Sequence, residues 1–240
     1  MSARFKVLDA RQTPMGVISL RRRHDPVSDT EVYEAKLDDE FVMSSLFVAA
    51  EVEVARLALL EVDADELDVV VGGLGLGYTA HTVLSDPRVR SLVVVEALDA
   101  VIDWHERQLL PLGEALTTDP RCRLLNGDFF ALARGDAMDP QAPGRTFDAV
   151  IVDIDHSPRE LLHPSHADFY KLEGVRRLAG HLRPGGVFSL WSNDPPDVEY
   201  EQLLAAVFTD VRAEVVRFPS ALPDQEASNT VYIARRPESV

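Results

Sequence analysis

The sequence predicts an α/β fold, a mostly parallel sheet with helices on both faces behind a small antiparallel β-cap. Three observations lead there. The stretch Asp68–Gly77 reads DVVVGGLGLG, a β-branched apolar run followed at once by Gly72, Gly73, Gly75 and Gly77. After it, short apolar runs alternate with segments of helical period as far as Phe208, the βαβ rhythm of a parallel sheet. Before it, residues 4–37 alternate at period two between turn formers, the mark of an antiparallel meander.

Taken in order, Phe5–Leu8, Gly16–Arg22 and Glu31–Leu37 read as two or three strands, divided at Thr13-Pro14, Asp25-Pro26 and Ser28-Asp29. They set a cap over residues 1–42 before a main domain over residues 43–240. The basic run Arg21-Arg22-Arg23-His24 reads as a solvated strand end. From Met43 to Leu60 the residues Met43, Leu46, Phe47, Ala50, Val54, Leu57 and Ala58 recur at helical spacing, with Ser44, Glu51 and Glu53 facing water. Val69–Val71 suits a strand buried on both faces, and Tyr78–Leu84 a helix. Ser91–Val95, Cys122–Leu125, Phe147–Val152 and Val187–Trp191 continue the strands. Asp99–Leu110, Asp128–Arg134, Ala167–Leu182 and Glu199–Phe208 supply the helices, the third ending at Arg183-Pro184-Gly185-Gly186. Val211–Arg217 and Thr230–Arg235 close the chain with no helix between them, so one of the two runs antiparallel.

Composition narrows the partners. The net charge of −16 over 240 residues argues against nucleic acid, whose phosphates need a basic surface, and suits a cationic substrate. No apolar run approaches the ~20 residues that span a bilayer, so no membrane partner is expected. Cys122 is the sole cysteine, which rules out an intrachain disulfide and matches a cytoplasmic location. No His/Cys/Asp cluster has the spacing of metal ligands, so no metal is expected.

Ligands of open α/β sheets sit beyond the carboxyl ends of the strands, so acids at those ends count as a group. Gly73, Gly75 and Gly77 allow a tight turn and close approach of the backbone to a ligand. Glu96 ends the second strand, 19 positions after Gly77, near the spacing at which an acid holds ribose hydroxyls. Asp128 follows the third strand with Phe129 beside it, a carboxylate and a ring suited to adenine, although Asp128 is also placed to cap a helix. Asp153 ends the fourth strand, with Asp155 and His156 close behind. Together these point to a bound nucleoside.

The order GGLGLG, VVVEALDAVI, NGDFF, FDAVIVDIDHSP and DFYKLEGVRRLAGHLRPGGVF resembles the spermidine synthases, the polyamine aminopropyltransferases, over residues 30–235. That resemblance implies the Rossmann-like class I methyltransferase fold with a seven-stranded sheet. It also implies S-adenosylmethionine or its decarboxylated form as donor, and a homodimer. Under it the glycine loop holds the donor's methionine-derived part, Glu96 the ribose and Asp128 the adenine. Asp153 matches the first aspartate of the Asp-x-x-Asp-Pro motif that helps deprotonate the attacking amine. The chain departs from the pattern in three places. Gly75 stands where the family carries an aspartate that holds the amine of the decarboxylated donor, and Met43 and Ser44 replace a tyrosine and a histidine. Asp153-Ile154-Asp155-His156-Ser157-Pro158 keeps the acids without the spacing.

The expected chemistry is alkyl transfer from a sulfonium donor, with Asp153 as proton acceptor and Asp155 or His156 assisting. Tyr170 and Trp191 are candidates for the acceptor pocket, although core packing accounts for Trp191 equally well. Three functions compete: methyl transfer from S-adenosylmethionine to a small acceptor such as an amine, polyamine aminopropyl transfer, and non-catalytic nucleoside binding. The loss of the acid at Gly75 tips the balance toward methyl transfer.

Overall fold

The computed structural model describes residues 5–219 and 226–238. Four antiparallel strands come first: β1 (Lys6–Thr13), β2 (Gly16–Asp25), β3 (Thr30–Leu37) and β4 (Glu40–Ser44). The main layer follows as α1 (Ala49–Glu61), β5 (Leu67–Gly72), α2 (Tyr78–Ser85), β6 (Val89–Glu96), α3 (Asp99–Glu106), α4 (Gly113–Thr118), β7 (Cys122–Asn126), α5 (Phe129–Arg134) and β8 (Phe147–Val152). A 3-10 turn at Pro164–Asp168 leads to α6 (Leu172–His181), β9 (Leu182–Ser192), α7 (Val198–Ala205), β10 (Thr209–Pro219) and β11 (Glu226–Arg235).

The seven-stranded sheet runs β10-β11-β9-β8-β5-β6-β7. Pairing is parallel from β9 to β7, whereas β11 is antiparallel to both of its neighbours. Every residue of β5 and β8 is buried, as expected of central strands covered on both faces. Side chains alternate between two cores. Val69, Val71, Ala149 and Ile151 pack toward α1 and α2, and Val70, Val150, Val152 and Phe188 pack toward α5, α6 and α7. Each fully buried aliphatic side chain contributes about 1.5–3 kcal/mol.

The cap is no separate body. Ile18, Leu20 and Ala35 join the core that α1 and α2 cover. Trp104 Nε1 donates to Asp9 Oδ2 at 2.8 Å, and Arg11 pairs with Asp103, tying β1 to α3.

Several expectations are corrected. The helix placed from Met43 starts at Ala49, because Met43 and Ser44 belong to β4, where Met43 pairs with Ala35. The helix expected to reach Leu110 stops at Glu106, and a short α4 follows. The one expected over Ala167–Leu182 is a 3-10 turn and a separate α6, broken where Gly174 packs on the backbone of Asp168 and Phe169. The strand placed at Val187–Trp191 begins earlier, at Leu182, and Pro184 and Gly185 are accommodated in it by a shift of register. Part of the polar loop Pro219–Asn229 falls on residues 220–225, outside the described residues.

At the amino end of the sheet, Asp68 lies in a buried knot of charge. It meets Arg90 at 2.5 Å, Arg183 at 2.6 Å and Arg145 at 2.8 Å, and Arg183 also pairs with Asp148. Burial pushes the Asp68 carboxyl up, but the three guanidiniums outweigh it and hold it below the usual range.

Candidate active site

Parallel pairing sets the tips of β5, β6 and β8 side by side. Gly72 lies opposite both Val95 and Val152, so the glycine loop, Glu96 and Asp153 leave the sheet at one level. The loop is held from two sides. Gly73 N–H donates to Val95 O at 2.9 Å, and Asp153 N–H donates to Gly72 O at 2.9 Å. Gly73 has φ +92°, and a Cβ there would lie 2.1 Å from the Asp153 carbonyl oxygen, so no side chain fits.

Glu96 is buried and turned onto the loop. Its oxygens accept from Leu74 N–H at 3.0 Å and Leu98 N–H at 2.9 Å. Burial pushes this carboxyl up, against the pull of the backbone amides of Leu98, Leu74, Gly75 and Ala97. Each carboxylate oxygen carries two lone pairs, so Glu96 can hold the loop and still accept from a ligand hydroxyl. Asp128 caps α5, its Oδ1 accepting from Ala131 N–H at 3.0 Å, and the residue is exposed. Phe129 departs from expectation. Its ring is buried directly beneath Gly72 and packs edge-on against Phe130 and Phe169, so it presents no open face to a base.

Asp153 faces α1. Its Oδ2 accepts from Thr79 Oγ1 at 2.7 Å, and the same hydroxyl lies 3.2 Å from the carbonyl oxygen of Glu51. Glu51 was expected to face water; instead the first turn of α1 sets it part-buried beside Asp153. Burial and then the Asp153 charge push the Glu51 carboxyl up to about 8, and burial likewise raises Asp153 against the Thr79 hydrogen bond. Among the described residues neither acid has a Lys or Arg partner. Met43 of β4 comes over the loop, its Sδ lying 3.6 Å from where a Cβ on Gly75 would stand.

Asp155 does not join this pair. The chain has left β8, and Asp155 turns into the opposite core, where it is 2% exposed. There it accepts from Leu162 N–H at 2.8 Å and Tyr170 OH at 2.9 Å, and lies 2.8 Å from His166 Nδ1. His166 stacks on Phe130 at 3.9 Å. Asp155 and Tyr170 thus brace the loop after β8. His156 lies 3.6 Å from Glu40 of β4, at the rim of the cap. Trp191 packs on the α1 side of the sheet, its Nε1 buried and without a partner among the described residues. A cavity of about 290 Å³ between Pro158, Pro195, Pro196 and Tyr232 includes none of the strand-tip residues. Among the described residues no group of three or more His, Cys, Asp or Glu is arranged to hold a metal, and no helix is long and apolar enough to cross a membrane.

Residues 54–222 match the spermine/spermidine synthase domain. The chain belongs to the spermine/spermidine synthase family. Within reach of this family, polyamine aminopropyltransferase 2 of Pseudomonas aeruginosa is 30% identical over 165 residues, 65% of this chain and 43% of that protein. Putrescine N-methyltransferase 2 of Nicotiana tabacum is 32% identical over 119 residues, 50% of this chain and 30% of that protein. The chain thus spans less than half the length of these curated relatives. The spermidine synthase of Thermotoga maritima superposes with a TM-score of 0.71 at 18% identity, over 96% of this chain and 72% of that one. A spermidine synthase in complex with the transition-state analogue AdoDATO gives 0.74 at 19%, over 96% and 73%. These two likenesses establish the shared fold.

Glu51 and Thr79 are the residues beside Asp153 that sequence reasoning missed. Thr79 stands two residues past the last loop glycine, and that position was its only signal. Glu51 sits on what reads as the polar stripe of a helix, and nothing in periodicity marks it.

Proposed function

We propose that this chain is a polyamine-directed alkyltransferase, moving an aminopropyl group from decarboxylated S-adenosylmethionine to a diamine. Family membership supports the class of reaction, and the carboxylate pair Asp153–Glu51 carries the reading. Two adjacent, partly buried acids without a counter-ion are held toward their neutral forms, and a cationic amine between them would draw them to the charged form. The glycine loop, Glu96 and the exposed carboxylate of Asp128 are the groups that would hold the nucleoside.

A sulfonium donor supplies an already activated carbon, so the protein has to align a nitrogen with it and take up a proton. As the N–C bond forms, the C–S bond breaks and its electron pair stays on sulfur as a neutral thioether. The proton from nitrogen goes to Asp153. An alkylamine with a pKa of ~10.4 costs about 4–5 kcal/mol to free at pH 7. Burial makes Asp153 a better proton acceptor than an exposed carboxylate, which narrows that gap. Glu51 holds the amine's charge beside it.

A pH test of Glu51 follows with a definite sign. A carboxyl raised in the folded state favours the fold while protonated, and that benefit is lost as pH rises from its unfolded value of 4.5 toward 8. Glu51→Gln is therefore expected to melt with wild type at pH 5 and above it at pH 9. The same variant should raise the KM for putrescine about tenfold, the scale of one charge-assisted hydrogen bond. Matching melts at both values, with an unmoved KM, would remove Glu51 from the acceptor site.

Methyl transfer from intact S-adenosylmethionine is the second reading, favoured by one observation. Gly75 lacks the acid expected to hold the amine of the decarboxylated donor, and the putrescine N-methyltransferases are among the relatives. The glycine is not demanded by space. Its φ of +51° is one that Asp tolerates, and a Cβ would meet only Met43 Sδ at an ordinary 3.6 Å. Gly75→Asp should therefore fold, and shift the ratio of donor affinities toward the decarboxylated form by about tenfold. Calorimetry with both donors reads this directly; an unaltered ratio would take residue 75 out of donor selection.

A further inference from the structure

His105 of α3 is 0% exposed and lies directly behind the glycine loop. Its Nε2 is 3.0 Å from the carbonyl oxygen of Gly75. A carbonyl only accepts, so the ring proton is on Nε2 and Nδ1 is bare; no group among the described residues donates to it. Burial pushes this imidazole's pKa down, against the Gly75 carbonyl, which keeps the ring neutral and fixed in that tautomer. The ring also fills the space behind Gly77. A Cβ on Gly77 would lie 2.8 Å from His105 Cε1 and 2.7 Å from Leu116 Cδ1, and its φ is +96°. One imidazole therefore bonds the middle of the loop and occupies the space that Gly77 leaves.

The consequence lies in the orientation of one peptide. In a trans peptide C=O and N–H point opposite ways, so tying the Gly75 carbonyl to His105 aims the Leu76 N–H away from α3. Among the described residues nothing accepts from that N–H, and the opening amides of α2 follow it directly. Such groups at a glycine-rich βα turn are what a nucleotide-type ligand meets. We infer that His105 is a positioning residue for the donor site: by holding the Gly75 carbonyl it presets the loop amides that receive the donor. The inference rests on the nucleoside-donor reading given above.

The test pairs two substitutions. His105→Leu keeps an apolar filling and removes the hydrogen bond, whereas His105→Gln returns an N–H donor. With S-adenosylmethionine, its decarboxylated form and 5′-methylthioadenosine as probes in calorimetry, His105→Leu should bind the compounds that wild type binds at least tenfold more weakly. It should melt within a few degrees of wild type, and His105→Gln should recover most of the affinity. Exchange of the Gly77 amide, which donates to Leu74 O, should speed up in the leucine variant and return toward wild type in the glutamine one. A merely structural histidine would move the melting temperature, and glutamine would give no rescue. Wild type that binds the probes while His105→Leu binds them equally well overturns this inference alone. Wild type that binds none of the three overturns the donor reading and this inference with it.

Discussion

Asp153→Asn is expected to lower turnover by about two to four orders of magnitude, the usual worth of a general base, while donor affinity stays within a few-fold. The asparagine preserves shape and can still accept from Thr79 Oγ1, which lies 2.7 Å from Oδ2. What it loses is the capacity to take the amine's proton. Backbone geometry is not at risk, because the tie from Asp153 N–H to Gly72 O involves no side chain. Single-turnover rates with saturating donor, set beside calorimetric donor affinity, separate the two effects. Turnover close to wild type would remove Asp153 from proton transfer. An equal loss in donor affinity would make it a loop support.

The second large effect is on stability. Asp68→Asn should cost about 3 kcal/mol at pH 7, the low end for breaking a buried ion pair, since the three arginines lose a shared carboxylate but keep Glu66, Asp139 and Asp148. For a chain of this size that is a fall of roughly 10 °C in Tm. Arg90, Arg145 and Arg183 all converge on this one carboxylate, and Arg183 would retain only Asp148. The pH dependence has the opposite sign to that of Glu51. A carboxyl held low in the folded state stabilises above its unfolded pKa, and that stability is lost as pH falls through the folded one. The gap between variant and wild type should therefore close on acidification. The knot lies at the amino end of the sheet, so activity measured well below the melting temperature should survive. A Tm unchanged at pH 7 would mean that solvent already screens these charges.

The parts legible in the sequence were those set by local chemistry. Phe147–Val152 reads as a strand of apolar residues interrupted only by Asp148, and it is β8 residue for residue. The glycine loop and the acids at the strand tips announce themselves because tight turns need Gly and strand order brings the tips together. β4 escaped notice because it is only five residues long and its apolar residues run on at helical spacing toward α1. Six residues of α4 carry too few apolar positions to show a period. The site was half visible for a similar reason. Asp153 and Asp155 look equivalent in sequence, and as strand residues they would share a face. The strand ends at Val152, however, and the bends that follow turn Asp155 into the other core. The pairing of Glu51 with Asp153 spans a hundred residues and exists only once α1 has packed on the sheet.

The central claim is that the strand tips hold a sulfonium nucleoside with Asp153 beside the amine that receives its alkyl group. Its most direct test is to incubate the protein with putrescine and, in separate reactions, decarboxylated and intact S-adenosylmethionine, and to weigh the products by mass spectrometry. Spermidine together with 5′-methylthioadenosine is the predicted outcome. N-methylputrescine with S-adenosylhomocysteine would move the assignment to the methyl reading. No alkylated amine from either donor, at protein concentrations near that of the substrate, would contradict the account.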